Sequence, residues 1–292
     1  MDKPSFLFIL NPNSGTSTGD QLQDLQKAIQ KSALHHQSHA EVVFTESHGH
    51  APVLVKEHLA QRPWKGIVAI GGDGTVNEVG SALVTGPVPL GILPMGSGNG
   101  LARHLGLPLK PQNALNRLFT GKPKLVDSAL LNDIPFFCTA GIGFDAYVGN
   151  LFSQEKRRGL LSYMKVSFQS YWDYEPQRIT LNGVAQDAFS ITIANAGQYG
   201  NNAWIAPQAS LQDGMLDICT IRPFPKWYGL KLVQQMFSKS LVPSRFIGYN
   251  KVLTSLIETK APAMIHYDGE PLQLDTTRIE IKIRPSSLNI IC

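Results

Sequence analysis

The segment Gly71-Gly72-Asp73-Gly74-Thr75 combines residue types with a joint chemical use. Glycines lacking Cβ let backbone N–H groups close on phosphate oxygens, and a helix start behind them adds a favourable dipole. Asp73 would repel a bare phosphate. A carboxylate at this place therefore implies a divalent cation between the two anions, that is, a metal–nucleotide. The simpler alternative is a tight turn with a capping aspartate. Two more clusters are of the same kind. Asn11-Pro12-Asn13-Ser14-Gly15 follows a short apolar run, and Pro94-Met95-Gly96-Ser97-Gly98-Asn99-Gly100 offers glycines with Ser97 and Asn99 as donors. Each alone reads equally well as a plain loop. At the ends of successive parallel strands the three would converge, and the region between them would suit a triphosphate.

A different pattern stands near the end of the chain. His266-Tyr267-Asp268-Gly269-Glu270-Pro271 sets two carboxylates either side of a glycine after an alternating apolar run. In an extended segment residues i and i+2 share a face, so Asp268 and Glu270 could meet one site. One could act as base toward a hydroxyl while the other steadies a metal. A surface β-turn is the competing reading, since Asp-Gly is a common turn pair. Phosphoryl transfer needs a carboxylate to take the acceptor's proton, which favours the first. His35, His36 and His39 also cluster, but no carboxylate or cysteine stands near to complete a metal site, and they read as solvated.

Periodicity shows the elements that must position these groups. Phe6 to Leu10 reads as an apolar strand, after which Leu22, Leu25 and Ile29 recur at helical spacing. Residues 41–45 read as a second strand and 51–59 as a helix. Residues 66–70 form a wholly apolar third strand opening into the first glycine segment, with 76–84 as its helix and 90–94 as a fourth strand. Strands buried on both faces and separated by helices predict a Rossmann-like three-layer α/β domain with a parallel sheet, whose ligands sit at the carboxyl ends of the strands. From about Leu125 the rhythm changes. Residues 178–181, the pair Asn182-Gly183 and residues 189–193 read as a hairpin. Ile279, Ile281 and Ile283 alternate with Glu280, Lys282 and Arg284 as in a half-exposed strand. The second half reads as an antiparallel β-sandwich with helical insertions at 153–171 and 225–238. The expected domains are 1–124 and 125–292, with the last strand free to return to the first domain and the active site in the inter-domain cleft.

Composition narrows the classes. A chain of 292 residues, 43% hydrophobic and 16% charged, can bury a core, which excludes a disordered tail and a membrane bundle. The balance of 26 Lys+Arg against 22 Asp+Glu gives +4. That charge suits local contact with phosphates or lipid headgroups and falls short of a nucleic-acid-coating surface. Cys138, Cys219 and Cys292 are scattered without a CxxC pair, which argues against a disulfide framework or zinc knuckle and for a reducing cytosol. The longest uncharged apolar stretch, 79–102, contains Pro87, Pro89 and Pro94 and cannot be a bilayer helix. The first apolar run is too short for a secretion signal. The reading is a cytoplasmic protein able to touch the inner membrane face peripherally.

The motifs in sequence order carry a resemblance. The segments at 11–15 and 71–78, Gly96-Ser97-Gly98-Asn99, Gly141-Ile142-Gly143-Phe144-Asp145-Ala146, Gln212-Asp213-Gly214-Met215-Leu216-Asp217 and Asp268-Gly269-Glu270-Pro271 resemble the diacylglycerol kinase/sphingosine kinase superfamily over essentially the whole chain. The resemblance implies an ATP-dependent kinase that phosphorylates a lipid hydroxyl with Mg²⁺, as in phospholipid biosynthesis. It implies nucleotide contacts at Asn11, Pro12, Asn13, Ser14, Gly15, Thr45, Gly71, Gly72, Asp73, Gly74, Thr75, Val76, Asn77 and Ser97, with Asn99 in the same cradle. Asp268 would be the base, with Glu270 beside it in the metal and charge network. Ser210, Asp213 and Met215 would surround a structural Mg²⁺, partly through backbone oxygens, although a turn between strands is the simpler reading of that loop. Gly100 and Thr16 stand where bacterial diacylglycerol kinases commonly carry an acidic residue and a lysine, departures that bear on the acceptor lipid.

Two segments, 155–165 and 226–232, mix basic residues with Leu, Tyr, Met and Trp, a composition suited to an anionic membrane surface or to ordinary amphipathic helices. A homodimer through an exposed edge strand stays open. So do two rival activities: an NAD kinase, which shares Gly-Gly-Asp-Gly-Thr, and a non-catalytic nucleotide- or lipid-binding protein.

Overall fold

Ser5–Leu10 (β1) is buried at every position from Phe6 onward, which requires a strand covered on both faces. Phe6, Phe8 and Leu10 project to one side, and Leu7 and Ile9 to the other. The computed structural model describes residues 3–15, 19–155 and 159–292. The chain divides into two units, Met1–Val126 with Ser286–Cys292, and Asp127–Pro285.

In the first unit β1 is followed by α1 (Gly19–His35), β2 (His39–Phe44), α2 (His50–Gln61), β3 (Gly66–Gly71), α3 (Asp73–Leu83), β4 (Leu90–Pro94), α4 (Gly100–His104) and α5 (Pro111–Thr120). The sheet runs β2-β1-β3-β4, all parallel, and the last strand of the chain joins β4 with Ile290 opposite Leu90. Phe6, Phe8 and Leu10 pack with Leu25 and Ile29 of α1 and with Leu115 and Leu118 of α5. On the other side α3 packs against β3 and α2 against α3. One boundary differs from expectation. α3 begins at Asp73, not Val76, because Gly72 is extended and its carbonyl already takes the Val76 N–H at 3.0 Å. Asp73, Gly74 and Thr75 therefore form the first turn of a helix.

β5 (Pro123–Leu131) carries the chain into the second unit. There follow β6 (Ile134–Phe136), β7 (Thr139–Gly143), α6 (Phe144–Ser153), α7 (Leu160–Tyr171), β8 (Gln177–Leu181), β9 (Val184–Ala188), β10 (Ser190–Ala194) and β11 (Leu216–Ile221). After α8 (Tyr228–Phe237) come β12 (Ile247–Val252), β13 (Thr254–Thr259), β14 (Met264–Tyr267), β15 (Glu270–Gln273) and β16 (Arg278–Ile291). One sheet is β12-β11-β10-β7-β14-β15, and the other contains β16-β13-β8-β9. Ile142, Ile191, Ile218 and Ile265 of the first pack against Ile179, Ile257, Ile279, Ile281 and Ile283 of the second, which makes the sandwich core. Asn182 and Gly183 do form a tight turn, with φ of 49° and 80°, but the partner strand is β9. Residues 190–194 belong to the opposite sheet. The helical insertion expected at 153–171 corresponds to α7, with Gly159 at φ 110° directly before it, and α6 precedes it from Phe144. No disulfide links Cys138, Cys219 and Cys292.

Candidate functional site

Parallel register brings three of the predicted segments to one edge of the first unit. Leu10 lies opposite Ile70 and Gly71 opposite Pro94, so the residues that follow β1, β3 and β4 emerge side by side. Asn11 ties the first to the second. Its Nδ2 donates to Thr75 Oγ1 at 3.2 Å, and its Oδ1 accepts the Asn13 N–H at 2.9 Å. The Gly71 carbonyl accepts the N–H groups of Met95 (2.8 Å) and Gly96 (3.2 Å). Glycine is required at two of these crossings. A Cβ on Gly71 would stand 2.4 Å from Thr75 Oγ1, and one on Gly96 would stand 2.4 Å from the Gly72 Cα.

The helix that starts here has no side-chain cap. Its first bond is made by the Val76 N–H, so the N–H groups of Gly74 and Thr75 precede the hydrogen-bonded ladder, where an anion is best received. Asp73 Oδ1 accepts the Gly100 N–H at 2.7 Å, which fastens the start of α3 to the start of α4. Asn99 closes its own loop, accepting from Gly96 N (3.0 Å) and donating to Gly96 O (2.7 Å). Thr45 is buried at the end of β2, and Ser97 is exposed at the tip of its loop. Val76 and Asn77 are buried in the packing of α3, one turn beyond the glycines. Thr16 lies outside the described residues. Glu78, next to Asn77 on α3, closes the 71–78 segment, and the sequence assigns it no role. It accepts the N–H groups of Gly49 (2.9 Å) and Ala51 (3.3 Å) and pairs with His48 Nδ1 (2.7 Å), holding the segment after Thr45.

In the second unit the extended arrangement expected for Asp268 and Glu270 is not present. Asp268 (φ 46°) and Gly269 (φ 87°) are the two turn residues of the β14–β15 hairpin, with Tyr267 opposite Glu270. The turn rotates the two carboxylates apart, so Asp268 is 7% exposed and Glu270 lies on the surface. Asp268 is held closely: its oxygens accept the N–H groups of Phe137 (2.9 Å), Cys138 (2.7 Å) and Thr139 (3.2 Å). Its own N–H donates to the Thr139 carbonyl at 2.7 Å.

A buried polar cluster missed by sequence reasoning stands nearby in the chain. Asp145 Oδ2 accepts from Thr192 Oγ1 (3.0 Å) and Tyr199 OH (2.9 Å), and lies 3.1 Å from His266 Nε2. Burial, reinforced by the Asp145 charge, pushes the Tyr199 phenol well above its usual value. Gly141 leaves the room, since a Cβ there would stand 3.0 Å from both Asp145 Oδ2 and His266 Nε2. His266 is two residues before Asp268, so the cluster anchors the strand that presents the turn.

The loop expected to hold a structural Mg²⁺ offers a donor set that does not fit one. Asp213 Oδ1 accepts the Met215 N–H at 3.1 Å, and Asp213 Oδ2 is paired with the Lys251 ammonium. Ser210 Oγ accepts the Gln212 N–H at 3.2 Å. A divalent cation on Asp213 would lie beside a fixed positive charge, an unfavourable approach. Among the described residues no group of three or more His, Cys, Asp or Glu is placed to hold a metal ion. Asp127, also missed, is 2% exposed and accepts the Gly214 N–H at 2.8 Å, which pins the same loop.

Known proteins resemble this chain in both halves. Residues 5–131 match the diacylglycerol kinase catalytic domain family, and residues 138–292 match the YegS C-terminal NAD kinase beta sandwich-like domain. A protein of Synechocystis sp., named only as uncharacterized, is 33% identical over 301 residues, covering 97% of this chain and 69% of that one. The Klebsiella pneumoniae protein named "Probable lipid kinase YegS-like" is 31% identical over 226 residues, 74% of each chain. The crystal structure of a diacylglycerol kinase from Bacillus anthracis has a TM-score of 0.74 at 22% identity, covering 99% of this chain and 96% of that one, a likeness of fold.

Proposed function

The chain belongs to the YegS-like family of lipid kinases, and on that premise we propose that it transfers the γ-phosphoryl group of ATP, supplied with Mg²⁺, to the hydroxyl of a diacylglycerol- or sphingosine-like lipid. The observation that carries this reading is the joining of three strand-end segments around the uncapped start of α3. An ordinary turn has no use for that many backbone approaches, whereas a polyphosphate does. The N–H groups of Gly74 and Thr75 and the Asn11–Gly15 segment receive phosphate oxygens. Thr45, Ser97 and Asn99 complete the nucleotide contacts, and Asp73 serves the cation that the nucleotide brings. Asp268 takes the acceptor's proton, its carboxylate oriented by three backbone donors, while Glu270 adds negative charge near the turn.

Labelled ATP·Mg²⁺ is incubated separately with diacylglycerol, sphingosine and NAD, and the products are weighed by mass spectrometry. Phosphate on a lipid is expected. Phosphate on NAD would select the NAD kinase reading, and bound nucleotide with no turnover on a broad lipid panel would select a binding protein.

A lipid acceptor calls for a membrane partner. Among the described residues no helix is long and apolar enough to cross a membrane. Two helices nonetheless offer apolar stripes to solvent. Leu161, Met164, Phe168 and Trp172 recur at helical spacing along α7, and Trp227, Leu230, Val233 and Phe237 do so along α8, all of them exposed. The two helices are joined where the Tyr171 hydroxyl donates to the Lys226 carbonyl (2.6 Å) and Lys226 Nζ donates to the Tyr171 carbonyl (2.7 Å). Neither helix contains Asp or Glu, and Lys165 and Lys231 add positive charge, a pairing of stripe and charge that suits anionic headgroups. The basic cluster Lys156, Arg157 and Arg158 lies outside the described residues. The protein is expected to sediment with vesicles containing anionic phospholipid, and charge reversal at those three positions to weaken binding. Sedimentation unaltered by the vesicles would remove this surface from the proposal.

A further inference from the structure

We infer that the ammonium of Lys251 is the resident cation of the Ser210–Met215 loop, set there by strand register, so that the loop holds its shape without a divalent metal. Lys251 stands directly opposite Asp217 in the antiparallel pairing of β12 with β11. Backbone hydrogen bonding determines that relation, and cross-strand neighbours of opposite charge stabilise it. From this position Lys251 reaches two carboxylates. It is paired with Asp213 Oδ2 and lies 3.6 Å from Asp217 Oδ2, a buried oxygen with no hydrogen-bond partner.

The loop is also held through its backbone: the N–H groups of Gln212, Gly214 and Met215 donate to Ser210 Oγ, Asp127 Oδ2 and Asp213 Oδ1, and the Leu211 carbonyl accepts the Asp127 N–H at 2.7 Å. Both oxygens of Asp213 are thus engaged. Mg²⁺ binds carboxylate oxygen at about 2 Å, so an ion on this group would sit within roughly 5 Å of the ammonium. The two cations compete for one place, and the lysine is covalently present at all concentrations of metal. Without it, Asp213 and Asp217 would approach each other with no positive charge between them. Local spacing does not reveal this pairing, since Lys251 is separated from Asp213 by 38 positions.

The test follows thermal unfolding of the full chain, free of nucleotide, in EDTA and in millimolar MgCl₂. Wild-type Tm is expected to agree between the two within about 1 °C. Lys251→Met should lower Tm in EDTA by about 5 °C, and Mg²⁺ should restore at least half of the loss. Lys251→Arg, which keeps a cation, should behave as wild type in both media. Should Lys251→Met fail to fold, hydrogen exchange at the Gly214 and Met215 amides of the wild type reads the same question, with equal protection expected in both media. A wild type whose Tm or amide protection falls in EDTA and returns with Mg²⁺ would overturn the inference. So would a Lys251→Met protein that loses nothing, or one whose loss Mg²⁺ leaves unrepaired.

Discussion

Asp73 and Asp268 each stand beside glycine where a strand ends, and the two units use them in contrasting ways. Asp73 is half-buried on the first turn of α3 and accepts the N–H that opens α4, joining two segments at the edge of a parallel sheet. Asp268 is turned inward by a two-residue hairpin and accepts three consecutive N–H groups, two from the β6–β7 connection and one from the first residue of β7. A parallel sheet delivers its loops to one edge, where backbone donors stay available to a ligand. An antiparallel hairpin can fold its aspartate beneath the neighbouring strand, where backbone donors orient it instead. One carboxylate thus fastens two strand-end segments together, and the other is itself held.

Asparagine at each position tests that contrast. Asp268→Asn would place an amide NH₂ against backbone N–H donors, donor facing donor. Turnover should fall by about 10³-fold, and stability by about 2–3 kcal/mol, read as a drop in Tm of roughly 6 °C. ATP affinity by titration calorimetry should change less than about threefold, because proton transfer and not nucleotide binding is lost. Near-normal turnover would displace Asp268 as the base. Asp73→Asn keeps an oxygen able to accept the Gly100 N–H, so Tm should move by less than about 2 °C while turnover falls about 100-fold. Equal destabilisation by the two substitutions would erase the distinction drawn here.

Smaller effects sharpen the same comparison. Gly96→Ala puts a methyl group 2.4 Å from the Gly72 Cα and must push two backbone segments apart. ATP binding should weaken about 30-fold, near 2 kcal/mol, with little change in lipid vesicle binding. In the second unit Tyr199→Phe removes one buried donor to Asp145. The expected loss is about 1 kcal/mol, or roughly 3 °C in Tm, with nucleotide affinity unaltered.

The first unit was legible because its signals are local. An apolar run followed by a turn cluster and a helical period can be recognised within about fifteen residues, and β4 was read at its observed bounds. The start of α3 was misplaced because glycine disfavours helix by propensity, whereas here the chain needs glycine for close approach and still winds a helix. The alternation of β14, continued past Tyr267, predicts an extended Asp268–Glu270 pair that the structure does not have. Asp-Gly at positive φ is a turn by its own chemistry, and that reading described the backbone. The turn after β8 is readable from Asn182-Gly183 while its partner strand is not, since residues 184–188 are largely exposed and carry little apolar pattern.

Residue order by itself determined the βα rhythm, the change to alternating strands near Leu125, and the glycines on which close backbone approach depends. These follow from side-chain period and backbone freedom over a few positions. Tertiary structure decided which distant groups meet: Asp145 with His266 across 121 positions, Asp127 with Gly214 across 87, and the three amides on Asp268. Those contacts depend on strand register and on which face each side chain takes. Register is set by the packing of whole sheets, a quantity that no short window of residues contains.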